Sequence, residues 1–217
     1  MVLEKERQAV VKYCRKLIES GLTKGTGGNI SIFNREQKLF AISPSGMDYY
    51  NMEKDDIVVM DLDNNIIDGT KKPSSEVLLH SIFYKKRQDV SAVIHAHSLY
   101  CTVLATIREK LPASSYLIAL AGKDVPCADY ATFGTEQLAE FTFNAMTGRK
   151  AVIMSNHGLL TGGNNISQAF DIAEQIEFCA QVYVTARSIG KPVILDDKEI
   201  ALILKKFAVY GQNSQES

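Results

Sequence analysis

No stretch of about 18 consecutive apolar residues, the length a helix needs to cross a bilayer, occurs in this 217-residue chain, so nothing in it reads as a membrane anchor. The opening segment MVLEKERQAVVKYC sets charges ahead of helically spaced apolar residues and lacks the unbroken apolar centre of a secretory signal. An excess of one charge is also missing. Lys plus Arg at 24 against Asp plus Glu at 25 excludes the broad basic surface of a nucleic-acid or polybasic membrane partner, so any anionic ligand has to be caught locally. Cysteine is sparse: Cys14, Cys101, Cys127 and Cys179 include no Cys-x-x-Cys pair, which fits reduced, core-packing thiols in the cytoplasm rather than a disulfide framework. Repeats, low-complexity tracts and linkers are absent as well. With 46% apolar residues, one domain over residues 1–210 is expected, followed by a flexible tail at 211–217.

What is present is a mixture of two periodicities. Residues 3–19 place Val10, Val11, Cys14, Leu17 and Ile18 at helical spacing, with Gly21 just beyond as a stop. Short β-prone runs follow at 29–34, 38–43 and 56–63, the last leading into the turn Asn64-Asn65. Pro73 opens a helix to about 87, then the apolar run VSAVIHAH reads as a buried strand before a helix over 98–107. A helix over 133–148 with Thr135 as its cap, a strand AVIMSN, a hairpin return HGLLTGG and two helices at 166–189 and 197–209 complete the chain. Strands grouped with helices in both orders predict an α/β sandwich.

Chemistry concentrates at strand ends. His95-Ala96-His97 closes an apolar run, and alternation along a strand aims both imidazoles at one face. Such a pair can also arise by chance and bond a backbone carbonyl. His157, followed by Gly158, ends another apolar strand, and Glu76 sits at the start of a helix, where the dipole alone favours a carboxylate. Together these three imidazoles and one carboxylate form a donor set suited to Zn²⁺. The remaining histidine, His80, lies four residues after Glu76 and has ligand spacing, but reads better as a packing or surface residue.

Polar turns supply a second constellation. Gly25-Thr26-Gly27-Gly28-Asn29 joins a helix to a strand, the reverse of a dinucleotide-binding turn, and is either an anion cradle or a tight connector. Ser43-Pro44-Ser45-Gly46 is another polar turn, and Ser74-Ser75 offers hydroxyls and free N–H groups at a helix N-terminus directly before Glu76. An anion held there would lie within a few Å of the proposed metal.

Taken in order, GTGGN at 25–29, PSG at 44–46, PSSE at 73–76, HAH at 95–97, YATFGT at 130–135, NHG at 156–158 and KFAVYG at 205–210 resemble the class II aldolase and adducin-like family over nearly the whole chain. The resemblance implies a three-layer α/β/α sandwich around a mainly antiparallel mixed sheet, assembled as a homotetramer with active sites at subunit interfaces. It makes Glu76, His95, His97 and His157 zinc ligands, with Glu76 also the catalytic base. Thr26, Gly28, Asn29, Ser45, Gly46, Ser74 and Ser75 match phosphate-binding positions. Tyr116 matches a catalytic tyrosine that reaches a neighbouring subunit's site, and Phe133 and Tyr210 match residues lining the aldehyde end. Gly27 and Ser45 stand where relatives often carry alanine and threonine, changes that keep the loop chemistry.

The implied activity is zinc-dependent retro-aldol cleavage of a sugar phosphate, L-fuculose 1-phosphate giving dihydroxyacetone phosphate and L-lactaldehyde. Alternatives on the same fold are pentulose-phosphate 4-epimerases, which resemble this chain but carry Asp where Glu76 stands, sugar-phosphate dehydratases, and adducin-like assembly modules that lack the ligands. Cupins place a Glu shortly after a His-x-His pair, whereas Glu109 comes too late here. A metal-dependent hydrolase barrel of about 250 residues is longer than this chain.

Overall fold

The computed structural model describes residues 1–207. In chain order these form α1 (Glu4–Glu19), β1 (Asn29–Asn34), β2 (Leu39–Ile42), β3 (Val58–Asp61), β4 (Ile66–Asp68), α2 (Val77–Lys86), β5 (Ala92–Ala96) and α3 (Leu99–Ile107). Then come β6 (Cys127–Ala128), α4 (Glu136–Ala145), β7 (Ala151–Met154), β8 (Gly158–Gly163), α5 (Ile166–Ile189) and α6 (Asp197–Phe207). The strands make one sheet in the order β4-β3-β2-β1-β5-β8-β7-β6. Every pairing is antiparallel except β6 with β7.

Alternation along the strands divides the core in two. Ile30, Ala41, Val59, Ile94, Ile153 and Leu159 point to one face, where Val10 and Leu17 of α1, Leu104 of α3, Ile172 and Ile176 of α5 and Ile200 of α6 cover them. Phe33, Phe40, Val58, Val93, Val152 and Leu160 point to the other, against Leu79 and Phe83 of α2 and Leu138 of α4. The result is the expected three-layer sandwich. Among the described residues no helix is long and apolar enough to cross a membrane.

Three departures from the sequence reading have physical causes. α2 starts at Val77 rather than near Pro73, because residues 73–76 are tied across to the end of β2: the Ser74 N–H donates to the Ser43 carbonyl at 3.1 Å, and Pro44 and Pro73 form an isolated bridge. The 56–63 run is strand only over Val58–Asp61, since residues 54–56 form a 3-10 turn. β4 and β6 escaped the pattern reading. One is an edge strand that leaves Ile66 and Ile67 exposed, and the other is only two residues long, so neither shows a period. Tyr210, residues 208–209 of the last expected helix and the tail at 211–217 lie outside the described residues.

Strand register assembles the site. Asn29 at the start of β1 pairs with His95 near the end of β5, and Ala96 pairs with Leu159 near the start of β8. Three strand termini therefore meet at one edge of the sheet's centre. The approach is close enough to demand glycine: a Cβ on Gly158 would lie 2.5 Å from the Ala96 carbonyl oxygen and 3.2 Å from the His97 ring. Gly158→Ala is expected to lower unfolding free energy by about 1–3 kcal/mol through overpacking, read from the urea midpoint. An unchanged midpoint would show that this edge is more compliant than its spacing implies.

Candidate active site

The site sits where β1, β2, β5 and the β7–β8 turn end beside the N-terminus of α2. His95 and His97 leave β5 on the same face, as strand alternation requires. His157 is presented by the turn between β7 and β8, which Asn156 makes by taking a left-handed φ of 55°. The Asn156 N–H donates to the Ala105 carbonyl of α3 at 2.9 Å, and its side-chain oxygen accepts from Arg108 Nε at 3.0 Å, so the turn is pinned from both ends. Glu76 occupies the N-cap of α2 and is buried.

These elements bring the three histidines together, with one ring nitrogen of each within 4.8 Å of the others. His95 Nε2 lies 3.0 Å from His97 Nε2 and 3.4 Å from Glu76 Oε2, while His157 Nε2 lies 3.4 Å from Glu76 Oε1. The His95 Nδ1–H donates to the Leu159 carbonyl at 2.9 Å, which leaves the Nε2 lone pair facing the cluster. Asn29 Nδ2 donates to Glu76 Oε2 at 2.8 Å, whereas Glu76 Oε1 is buried with no hydrogen-bond partner among the described residues. An orphaned carboxylate oxygen and converging imidazole lone pairs fit a divalent cation, the one kind of guest that all these donors can satisfy at once.

The protonation states agree. Burial, followed by the neighbouring histidines 157 and 97, outweighs Glu76 and holds His95 down at about 3, and burial lowers His97 too. Burial alone would raise the Glu76 carboxyl, but His95, His157 and the Asn29 amide together hold it below the ordinary value. Neutral His95 and His97 beside an ionised Glu76 are in the form that binds metal without first shedding protons.

The anion-binding candidates converge on the same place. Thr26, Gly28, Asn29, Ser45, Gly46, Ser74, Ser75, Glu76, His97, Phe133 and His157 line one cavity of about 320 Å³. Gly28 takes φ 76°, and a Cβ there would meet the His95 carbonyl oxygen at 2.6 Å, so only glycine lets the loop run this close to β5. Ser74 Oγ accepts the Glu76 N–H at 3.2 Å, which joins the hydroxyl turn to the carboxylate. Asn29 turns its amide toward Glu76 and keeps one of its two amide hydrogens in reserve.

Tyr116 lies in a 3-10 turn over Tyr116–Leu120, exposed, with its ring tilted against Phe207 and outside the cavity of its own chain. His80, read as packing or surface, is fully buried and hydrogen-bonded to Asn29 and Ser31. Tyr130 and Asn156, which begin the YATFGT and NHG motifs, also line the cavity and are not among the expected site residues. For His80 the only available signal was its spacing of four from Glu76.

A candidate metal centre beside hydroxyl-bearing turns, on an α/β/α scaffold, is the arrangement of a metal-dependent sugar-phosphate enzyme. The model of the Class II Aldolase and Adducin N-terminal domain matches residues 8–184. A 5-deoxy-D-ribulose 1-phosphate aldolase of Bacillus thuringiensis serovar kurstaki is 55% identical over 212 residues, covering 98% of this chain and 100% of that protein. An L-fuculose phosphate aldolase of Escherichia coli is 38% identical over 218 residues, covering 100% of both. A solved L-fuculose 1-phosphate aldolase superposes with a TM-score of 0.94 at 50% identity, covering 96% of this chain and 98% of that one. The chain belongs to the class II aldolase family, metal-dependent enzymes that break and make carbon–carbon bonds.

Burial of the histidines sets a pH dependence in metal-stripped protein. His80 is lowered to about 4 and His95 to about 3, each mainly by burial, while the unfolded chain titrates near 6.5. The unfolded state therefore binds more protons below that value, and stability falls as pH drops from about 6.5 toward 4, by roughly 1.4 kcal/mol per group per pH unit. Urea midpoints measured with chelator should change little between about pH 7.5 and 6.5 and decline from there to about pH 5. A flat profile over that range would contradict neutral, buried imidazoles.

Proposed function

We propose that this chain is a zinc-dependent aldolase that cleaves a short deoxyketose 1-phosphate to dihydroxyacetone phosphate and an aldehyde. The observation that carries the reading is the convergence of His97, His157, Glu76 and three hydroxyl or glycine turns on a single cavity of about 320 Å³, with His95 clustered against the other two imidazoles behind its wall. The five-carbon substrate named for the 55% identical relative is the better candidate over L-fuculose 1-phosphate, the expectation from motifs alone. Cleavage of a 5-deoxyribulose 1-phosphate between C3 and C4 would release acetaldehyde, and cleavage of L-fuculose 1-phosphate would release L-lactaldehyde.

In this reading the phosphate is held by Thr26, Gly28, Ser45, Gly46, Ser74 and Ser75, with Asn29 at the boundary between phosphate and carboxylate. His95, His97, His157 and Glu76 would hold the zinc ion, which when bound supplies Lewis-acid stabilisation of charge developing on substrate oxygens. With the phosphate fixed, the sugar is oriented so that C3 faces Glu76. As the C3–C4 bond breaks, its electron pair passes to C3 and the C2 carbonyl, the C4 hydroxyl loses its proton, and C4 leaves as the aldehyde carbon. Glu76, ionised in the resting site, takes up a proton from solvent and delivers it to C3, completing dihydroxyacetone phosphate, while the C4 hydroxyl proton passes out to solvent; in the condensation direction Glu76 removes the C3 proton. Tyr116 of an adjoining copy is assigned the C4 proton, and Phe133 and Tyr210 the aldehyde end.

Assembly enters because Tyr116 lies outside its own chain's cavity. Leu99, Val103 and Ile107 form an exposed stripe along α3, spaced four apart, with Phe178 and Val182 exposed on the adjacent α5. Burying that stripe against further copies supports the homotetramer. Three buried free thiols and one half-buried accord with a cytoplasmic setting.

Glu76→Gln should lower kcat by about 10²–10⁴-fold with KM changed little, metal content being measured on the same samples; undiminished turnover rejects the assigned acid–base group. Assayed side by side for release of dihydroxyacetone phosphate, 5-deoxyribulose 1-phosphate should be cleaved with higher kcat/KM than L-fuculose 1-phosphate. Chelation should stop both reactions, and zinc should restore them. Turnover of L-ribulose 5-phosphate without triose release would replace cleavage by epimerisation. Light scattering should give a four-chain mass for the native protein and a smaller one for Val103→Asp.

A further inference from the structure

A chain of buried polar side chains runs inward from Glu76, away from the cavity. Asn29 Nδ2 donates to Glu76 Oε2 at 2.8 Å, which leaves the Asn29 side-chain oxygen to accept from His80 Nε2. His80 Nδ1 meets Ser31 Oγ at 2.6 Å, and Ser31 Oγ in turn meets the Tyr84 hydroxyl. Asn29, Ser31, His80 and Tyr84 are all buried, three of them within a few per cent of complete burial, and none of the last three touches the cavity. Their placement follows from the fold: Asn29 and Ser31 are alternate residues of β1 on the α2 face, and Glu76, His80 and Tyr84 are spaced four apart along the start and inner side of α2.

The chain has only one consistent direction. Glu76 is an acceptor, so Asn29 must present its NH₂ group to it and its oxygen to His80. That oxygen requires the hydrogen of His80 on Nε2, which makes Nδ1 an acceptor for the Ser31 hydroxyl and turns the Ser31 oxygen toward the Tyr84 O–H. Reversing the Asn29 amide would set its oxygen against the Glu76 carboxylate, a repulsive contact in a buried setting.

We propose that His80, with Ser31 and Tyr84 behind it, is a positioning residue that locks the Asn29 amide so that Glu76 is held through Oε2 and keeps Oε1 free for the metal centre and for the substrate proton. The proposal rests on the function argued above for Glu76. Nothing in it requires His80 to gain or lose a proton, and its burial in neutral form is in keeping with that.

The test uses the zinc-loaded enzyme and the same protein stripped of metal. His80→Leu removes the donor to Asn29; His80→Gln returns an N–H at about the same reach. Zinc affinity by competition with a chromophoric chelator and steady-state kcat and KM are measured for both, with the thermal unfolding midpoint as a control for packing. His80→Leu should weaken zinc binding and lower kcat by about 10–100-fold, with KM within threefold, and His80→Gln should recover most of both losses. A His80→Leu protein with unchanged zinc affinity and kcat overturns the proposal, as does a His80→Gln protein no better than His80→Leu. If His80→Leu does not fold, Tyr84→Phe decides: it keeps the ring packing, and it should reduce kcat and zinc affinity several-fold, or else the chain is only structural. Long-range nitrogen–proton NMR on wild-type protein should find His80 as the neutral Nε2–H tautomer, and the Nδ1–H tautomer would overturn the assigned direction. Should wild-type enzyme cleave no ketose phosphate, the functional reading fails while zinc affinity and tautomer still judge the chain.

Discussion

Glu76 and His95 are buried at one edge of the sheet, with exposed His97 and half-buried His157 against them at the cavity wall, so that several lone pairs crowd one small space. Left to themselves such groups repel or remain unsatisfied, and the cost of burying polar atoms without partners runs to a few kcal/mol each. Two kinds of group relieve it: N–H donors from Asn29 and, for Glu76 Oε1 and the imidazole nitrogens, a cation. The rest of the architecture serves to hold these groups at the required separations.

The scaffold does this with rigid parts. Two candidate ligands come from the end of one strand, one from a hairpin turn pinned to α3 by Asn156, and the fourth from the N-cap of α2, which is bridged to the end of β2 through Ser43 and Ser74. The same bridge places the Ser74-Ser75 turn beside Ser45-Gly46, so that the candidate metal and anion positions are built by one set of connections. On the proposed function, a sugar phosphate gripped at both ends would be oriented before any chemistry begins, which is where much of the advantage of an intramolecular reaction lies. Behind Glu76, the Asn29–His80–Ser31–Tyr84 chain replaces water as the surrounding that defines the carboxylate's orientation.

Reading the linear pattern works where it is strongly periodic or carried by several ordered motifs. The helix at 166–189, the caps Thr135 and the turns at Asn64 and Gly21 are legible because local residues set local dihedrals. The four candidate ligands could be picked out because His-x-His at a strand end, His-Gly at another and Glu at a helix start each carry a local geometric reason, and the fold brings the four side chains together. His80 is buried, as its packing reading allows, but its hydrogen bonds were not legible because Ser31 and Asn29 lie about fifty positions away and reach it only through strand and helix packing. The strands Ile66–Asp68 and Cys127–Ala128 are too short to show a period and exist because a neighbouring strand offers hydrogen bonds.

The amino-acid order by itself determined the donor types, the turn chemistry, the two alternating periodicities and hence the layered α/β class, since all of these follow from interactions within a few residues. Only the tertiary structure decided that Asn29 stands opposite His95, that Gly158 and Gly28 admit backbones no side chain would allow, and that one carboxylate oxygen is held while the other is left bare. Those are properties of register and contact between distant segments, and no local rule of dihedral or spacing encodes them.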